Sequence, residues 1–209
     1  MTVTLTIDGK EVTAREDMTV LEAARKAGIH IPTLCYHQQL KPYGACRICS
    51  VEVETKGRVR VVASCGYPVE QGLVVRTRSP RIDRIRKVLI ELIAPTVMVN
   101  GNVSGEIKKI ATEYGADIHR FEPQFRGKST RCILCGQCVR YCEEVVGEHA
   151  IGFVGRGIDR RVVFFPDKAR SCIICQACLN LCPTGKIPAE TDFVVFDNFS
   201  LDDYVSGTL

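Results

Sequence analysis

Two stretches decide the reading of this chain: CILCGQCVRYC at residues 132–142 and CIICQACLNLCP at residues 172–183. Each runs Cys-x2-Cys-x2-Cys-x3-Cys, the second closes on Pro183, and the pair repeats with a period of forty residues. Three thiolates from one tight loop can wrap a cubane iron-sulfur cluster, while the fourth cysteine of each run reaches across to the other cluster. One 4Fe-4S cluster is therefore expected on Cys132, Cys135, Cys138 and Cys182, and a second on Cys172, Cys175, Cys178 and Cys142. Zinc also favours Cys-x2-Cys pairs. A tetrahedral zinc site, however, typically uses two separated pairs rather than continuous four-cysteine runs.

The rest of the composition agrees with a metal-bearing role. Twelve cysteines in 209 residues would read as a disulfide framework in a secreted chain. The opening MTVTLTIDGK has no basic region followed by an apolar stretch, and Glu91 and Pro95 interrupt the longest candidate for a membrane span. A soluble, cytoplasmic chain in a reducing compartment is the expectation, and there clustered cysteines more often hold metal. The formal charge of +4 falls to roughly −2 if three clusters with their thiolates each carry about −2. With no interleaved basic and aromatic pattern, nucleic acid is not an expected partner.

Residues 2 to 15 alternate Val3, Leu5 and Ile7 on one face, turn at Asp8-Gly9 and resume through Val12, which predicts a β-hairpin. Thr19 with Glu22 forms a capping box, and Leu21, Ala24 and Ala27 make a helical stripe that stops at Gly28. A second alternating hairpin is expected at 50 to 54 and 58 to 63 around Lys56-Gly57, and Leu73 to Arg76 offers a closing strand. Between these elements stand Cys35, Cys46, Cys49 and Cys65, spaced Cys-x10-Cys-x2-Cys-x15-Cys. One cysteine ahead of a close pair and one far behind is how plant-type proteins hold a 2Fe-2S cluster, although the first gap here is longer. Gly44 and Ala45 suit a close approach of backbone to an inorganic sulfide.

Residues 79 to 94 predict the strongest helix, capped by Ser79 and opened by Pro80. Its apolar stripe of Ile82, Ile85, Leu89, Leu92 and Ile93 ends before Pro95. Arg81, Arg84 and Lys87 occupy the opposite face, where a solvated surface is the more common explanation than an acidic partner. A second helix is expected through Ile107, Ile110, Ala111 and Tyr114, ending at Gly115. Beyond it, Val139 to Val146 predicts a short helix with Cys142 on its inner side. Ala150 to Val154 and Arg161 to Phe165 predict a hairpin around GRGID. Ile133, Ile173 and Ile174 are candidates to line the clusters, and the tail turns acidic at Asp197, Asp202 and Asp203.

The order of these modules, with EYGADIHRFEP before the second cysteine region and AIGFVGRG between its two runs, resembles the N-terminal part of the large iron-sulfur subunit of respiratory NADH dehydrogenase. It is similar as well to the diaphorase small subunit of NAD-linked nickel-iron hydrogenases, the N-terminal half of iron-only hydrogenases, and NAD-dependent formate dehydrogenases. The resemblance implies an α+β fold in three parts: a β-grasp two-iron ferredoxin domain over 1–78, a helical linker domain over 79–120, and a bacterial-type two-cubane ferredoxin domain over 121–190. Residues 191–209 would be a C-terminal tail. The relatives usually carry a further cubane in the middle domain, held by one histidine and three cysteines. Residues 80 to 131 contain no cysteine, and His119 is their only histidine, so that cluster is expected to be missing.

No dinucleotide fingerprint is present, since GRGIDR at 155–160 lacks the last glycine, and all twelve cysteines are allocated to clusters. No catalytic centre is expected on this chain alone. The resemblance implies an electron-transfer subunit of a multisubunit NAD(P)-linked oxidoreductase, a hydrogenase foremost and an electron-bifurcating one included. Its partners would be a flavin- and NAD(P)-binding iron-sulfur subunit, a hydrogenase or formate dehydrogenase catalytic subunit, and soluble ferredoxin. A freely diffusing ferredoxin-like carrier and a zinc-binding structural module are the alternatives from other classes.

Overall fold

The computed structural model describes residues 1–103, 105–124, 131–165, 168, 175 and 177–184. Strands β1 (Thr2–Ile7) and β2 (Lys10–Arg15) pair antiparallel, with Leu5 opposite Val12. Asp8 and Gly9 both take positive φ, 51° and 80°, which matches the twist a two-residue hairpin needs. Helix α1 (Val20–Lys26) carries the expected capping box, with the Thr19 amide and the Glu22 carboxylate 2.7 Å apart and the Glu22 amide donating back to Thr19. A second hairpin joins β3 (Ser50–Thr55) to β4 (Arg58–Ala63), and β5 (Val74–Arg76) enters between β1 and β3. The sheet order is β2-β1-β5-β3-β4, with β1 and β5 parallel and every other pair antiparallel. Its alternating residues Val3, Leu5, Ile7, Val51, Val53 and Val75 meet Leu21 and Ala24 of α1 in one core. The mixed sheet and its helices make an α+β protein.

Helix α2 spans Pro80–Val97, with Ser79 accepting the Ile82 amide. It therefore runs past Pro95, where the sequence predicts its end. Proline removes one backbone donor, but Pro95, Val97 and Met98 are buried, and that packing carries the last turn onward. The buried face also differs from the expected stripe. Ile82, Arg86, Ile90, Ala94 and Val97 point inward, whereas Leu92 is 50% exposed and Ile85, Leu89 and Ile93 are half-buried. An arginine on the inner face hid the true periodicity, because a stripe drawn through apolar residues alone steps around it.

Helix α3 (Gly105–Tyr114) buries Ile107, Ile110, Ala111 and Tyr114 against α2. This helical pair shares its core with Leu34 and Ile48, neighbours of Cys35 and Cys49. Helix α4 (Gln137–Tyr141) begins two residues earlier than expected and continues as one π-helical turn, Cys142–Val146, that buries Cys142. Strands β6 (Ile151–Val154) and β7 (Arg161–Phe164) form the predicted hairpin. Cys172, Ile173, Ile174 and the acidic tail lie outside the described residues. Among the described residues, no helix is long and apolar enough to cross a membrane.

Candidate iron-sulfur centres

The first group of cysteines sits where two loops meet the edge of the N-terminal core. The loop between α1 and β3 supplies Cys35, Cys46 and Cys49, and the turn after β4 supplies Cys65. Cys35, Cys49 and Cys65 are buried, with exposures of 2% or less. Gly44 adopts φ +67° and Arg47 φ +59°, and these left-handed positions curl the loop so that successive cysteines turn inward. An added Cβ at Gly44 meets nothing within 4 Å. Its conformation, rather than crowding by other parts of the protein, is what calls for glycine.

The sulfurs interact in two pairs. The Cys46 thiol donates to Cys35, and this, with the amides of Cys46 and Ala45, holds Cys35 down at about 6 despite burial; Cys46 is pushed up in turn. Cys65 acts on Cys49 in the same way, bringing it to about 6 while Cys65 itself is raised. Charge on Cys35 is felt at both members of the second pair, which brings the two pairs within electrostatic reach of each other. Ser64 fixes the backbone between them, its hydroxyl donating to the Cys49 carbonyl at 2.8 Å.

The second group surrounds a cavity lined by Cys132, Cys135, Cys138 and Cys182, with Ile133 and Pro183 among its walls. The structure thus brings the last cysteine of the second run to the three of the first. Burial pushes Cys135 up to about 12 and raises Cys138 well above the usual thiol range, with the neighbouring thiolates adding to both. Such thiols do not ionise unaided, and iron bound there would supply the positive charge that offsets their burial. The Leu134 amide donates to the Cys132 sulfur at 3.3 Å. Thr184 meets the Cys182 sulfur at 3.2 Å and donates to the Arg131 carbonyl, which ties the ends of the two runs together.

Three of the remaining four cysteines are described. Burial raises Cys178 to about 11, and charges on Cys142, Cys175 and Cys182 reinforce the shift. Cys142 accepts the Ala150 amide at 3.2 Å. Cys175 is exposed, and Cys172 is outside the described residues. Among the described residues no cysteine is in a disulfide, and no three His, Cys, Asp or Glu side chains converge to hold a single metal ion. The four-thiolate donor sets at the first two sites fit iron-sulfur clusters. His119 lies apart from them, 2.8 Å from Glu122 on the surface.

Several contributors carry no spacing signal. Gln137 donates to the Leu34 carbonyl at 2.7 Å, and Arg140 to the Lys41 carbonyl at 2.8 Å. Glu144 accepts the Lys41 amide at 3.0 Å. These contacts press α4 and its π turn against the loop that bears Cys35, close enough that charge on Cys35 is felt at Cys135. Arg86 reaches the first site from α2, with bonds to the carbonyls of Ile48 and Ser50. Its one sequence signal is position, four residues after Ile82 and four before Ile90.

The fold and these cysteine groups define a class, an iron-sulfur protein of ferredoxin-like modules. Residues 1–80 match the family model of the 2Fe-2S iron-sulfur cluster binding domain, and residues 123–188 that of the NADH-quinone oxidoreductase subunit 3 ferredoxin-like domain. The NADPH-Fe(3+) oxidoreductase subunit alpha of Geobacter sulfurreducens is 36% identical over 202 residues, covering 88% of this chain and 24% of its own length. The mitochondrial NADH-ubiquinone oxidoreductase 78 kDa subunit of Neurospora crassa is 32% identical over 207 residues, covering 90% of this chain and 28% of its own. A chain in the crystal structure of NAD+-reducing NiFe-hydrogenase in the H2-reduced state superposes with a TM-score of 0.68 at 31% identity, covering 78% of this chain and 74% of that one. The chain belongs to the family of iron-sulfur subunits shared by NADH-quinone oxidoreductase and NAD+-reducing hydrogenase. It spans about a quarter of the length of the curated relatives it matches.

Proposed function

We propose that this chain is an electron-transfer subunit of an NAD(P)-linked oxidoreductase, a hydrogenase foremost. It carries one 2Fe-2S cluster on Cys35, Cys46, Cys49 and Cys65, one 4Fe-4S cluster on Cys132, Cys135, Cys138 and Cys182, and another on Cys172, Cys175, Cys178 and Cys142. Bound there, the clusters supply one-electron redox chemistry. The observation that carries this reading is the adjacency of the first two sites: Leu34, next to Cys35, is bonded to Gln137, between Cys135 and Cys138. The domains are 1–78, 79–120 and 121–190, with the middle helices acting as packing between two metal-bearing loops rather than as a cluster site.

The residues around the sulfurs suit conduction. Leu34, Ile48 and Ile133 keep water from the loops, and the clasp of Gln137 and Arg140 holds the first two sites at a fixed separation. A flavin- and NAD(P)-binding subunit on one side, and a hydrogenase catalytic subunit or soluble ferredoxin on the other, complete the assembly. Its similarity to the NAD+-reducing hydrogenase chain favours hydrogen over formate as terminal substrate. The test is anaerobic purification from the native source with metal counting. About ten irons per chain are expected, with a flavin subunit and nickel copurifying. Molybdenum in place of nickel makes it a formate dehydrogenase subunit, purification alone makes it a diffusing carrier, and zinc without visible colour ends the reading.

A further inference from the structure

Arg86 is completely buried, at 0% exposure. Its Nε donates to the Ile48 carbonyl at 3.1 Å, its Nη2 to the Ser50 carbonyl at 2.8 Å and its Nη1 to the Tyr114 hydroxyl at 2.7 Å. All three acceptors are neutral. Among the described residues no carboxylate lies within 4.0 Å of the guanidinium. A buried charge satisfied in hydrogen bonds but lacking a counter-charge is costly, and proteins retain one where an opposite charge is near. The two carbonyls that Arg86 grips belong to the residues on either side of Cys49. Glu113 acts on the Tyr114 hydroxyl from its own side, but the two carbonyls place the guanidinium behind Cys49, whose thiolate, with those of Cys35, Cys46 and Cys65, would carry the negative charge of a bound cluster.

We propose that Arg86 is the counter-cation and positioning residue of the two-iron site. It rests on the assignment of a 2Fe-2S cluster to those four cysteines. Two consequences follow from the geometry. The fork of the guanidinium clamps both sides of Cys49, so the direction of that thiolate is set from helix α2. A fixed positive charge in a poorly screened setting also favours the reduced cluster, which bears one more negative charge, and so raises its potential.

The test compares wild type, R86K and R86Q as full-length, anaerobically loaded chains. Iron content and the reduced-state electron paramagnetic resonance signal of wild type first establish that the cluster is present; without it the function proposed above fails, not this inference. Redox titration of the two-iron signal then reads the charge. At a fixed ambient potential R86Q is expected to hold about tenfold less reduced cluster relative to oxidised than wild type, a shift of about 59 mV for one electron. R86K, which keeps the charge, stays near wild type. Equal potentials in R86K and R86Q overturn the proposal. If R86Q cannot retain iron, R86K decides: it keeps the charge and is expected to retain the two-iron cluster, and loss of iron in R86K as complete as in R86Q makes Arg86 a structural residue alone.

Discussion

The side-chain amide of Gln137 donates a hydrogen bond of 2.7 Å to the carbonyl of Leu34, across 103 positions of sequence, and both residues are buried. Leu34 precedes the first cysteine of one site, and Gln137 follows the second cysteine of another. Through this one bond two loops with unrelated local structure become neighbours, and Arg140 and Glu144 extend the contact along the next turn of helix.

Replacing Gln137 with leucine keeps the bulk and leaves the Leu34 carbonyl buried without a donor. The expected cost is about 1–3 kcal/mol. It should appear as a lower midpoint in anaerobic denaturant titration with an unchanged slope, since the surface exposed on unfolding is the same. A loss of only a few tenths would mean that the two loops are held together by other contacts.

Glu144 gives the clasp a pH dependence. The Lys41 amide, with help from Arg140, holds its carboxylate below the ordinary value of 4.5. A carboxylate whose pKa is depressed on folding stabilises fully above its unfolded value, and that stabilisation is lost as pH falls through the folded value. Thermal midpoints of wild type and Glu144→Gln should therefore differ at pH 6 and converge as pH drops below 4.5. A gap that persists in acid would mean that Glu144 acts through packing.

Cys182 provides a test of how the ligands cross between runs. It shares a cavity with Cys132, Cys135 and Cys138, so Cys182→Ala should disturb the same cluster as Cys132→Ala. Cys142→Ala should disturb the other. Iron counts after reconstitution are expected to fall by about four in each case, and the two cubane signals in low-temperature spectra should separate the variants into these groups. Loss of the same signal in Cys182→Ala and Cys142→Ala would refute the crossing.

Helix α2 offers a contrast of two apolar positions. Ile90 is fully buried and Leu92 is 50% exposed. Truncating Ile90 to alanine should cost about 2–5 kcal/mol through lost burial and the cavity left behind, whereas Leu92→Ala should stay within about 0.5 kcal/mol in the isolated chain. A large cost at Leu92 in the assembled complex but not in the isolated chain would mark that face as a subunit contact.

The exposure of Leu92 illustrates what the linear pattern missed. Hairpins at Asp8-Gly9 and Lys56-Gly57, the capping box at Thr19, and the helices over α2 and α3 were legible because each depends on residues within a few positions of one another. The inward face of α2 was not, since Arg86 is polar and its partners Ile48, Ser50 and Tyr114 are 28 to 38 positions away. Pro95 misled for a related reason: the local penalty is visible in sequence, and the burial that outweighs it is not.

By itself, the sequence determined the inventory of this protein, twelve cysteines in three spaced sets, because the loop that wraps a cluster is short and its spacing is written along the chain. Tertiary structure alone decided that Gln137 meets Leu34 and that a buried cation stands behind Cys49. The reason is physical. Buried polar contacts between distant segments follow no periodicity, and they come into being only when separate cores pack and oblige each enclosed donor and acceptor to find a partner.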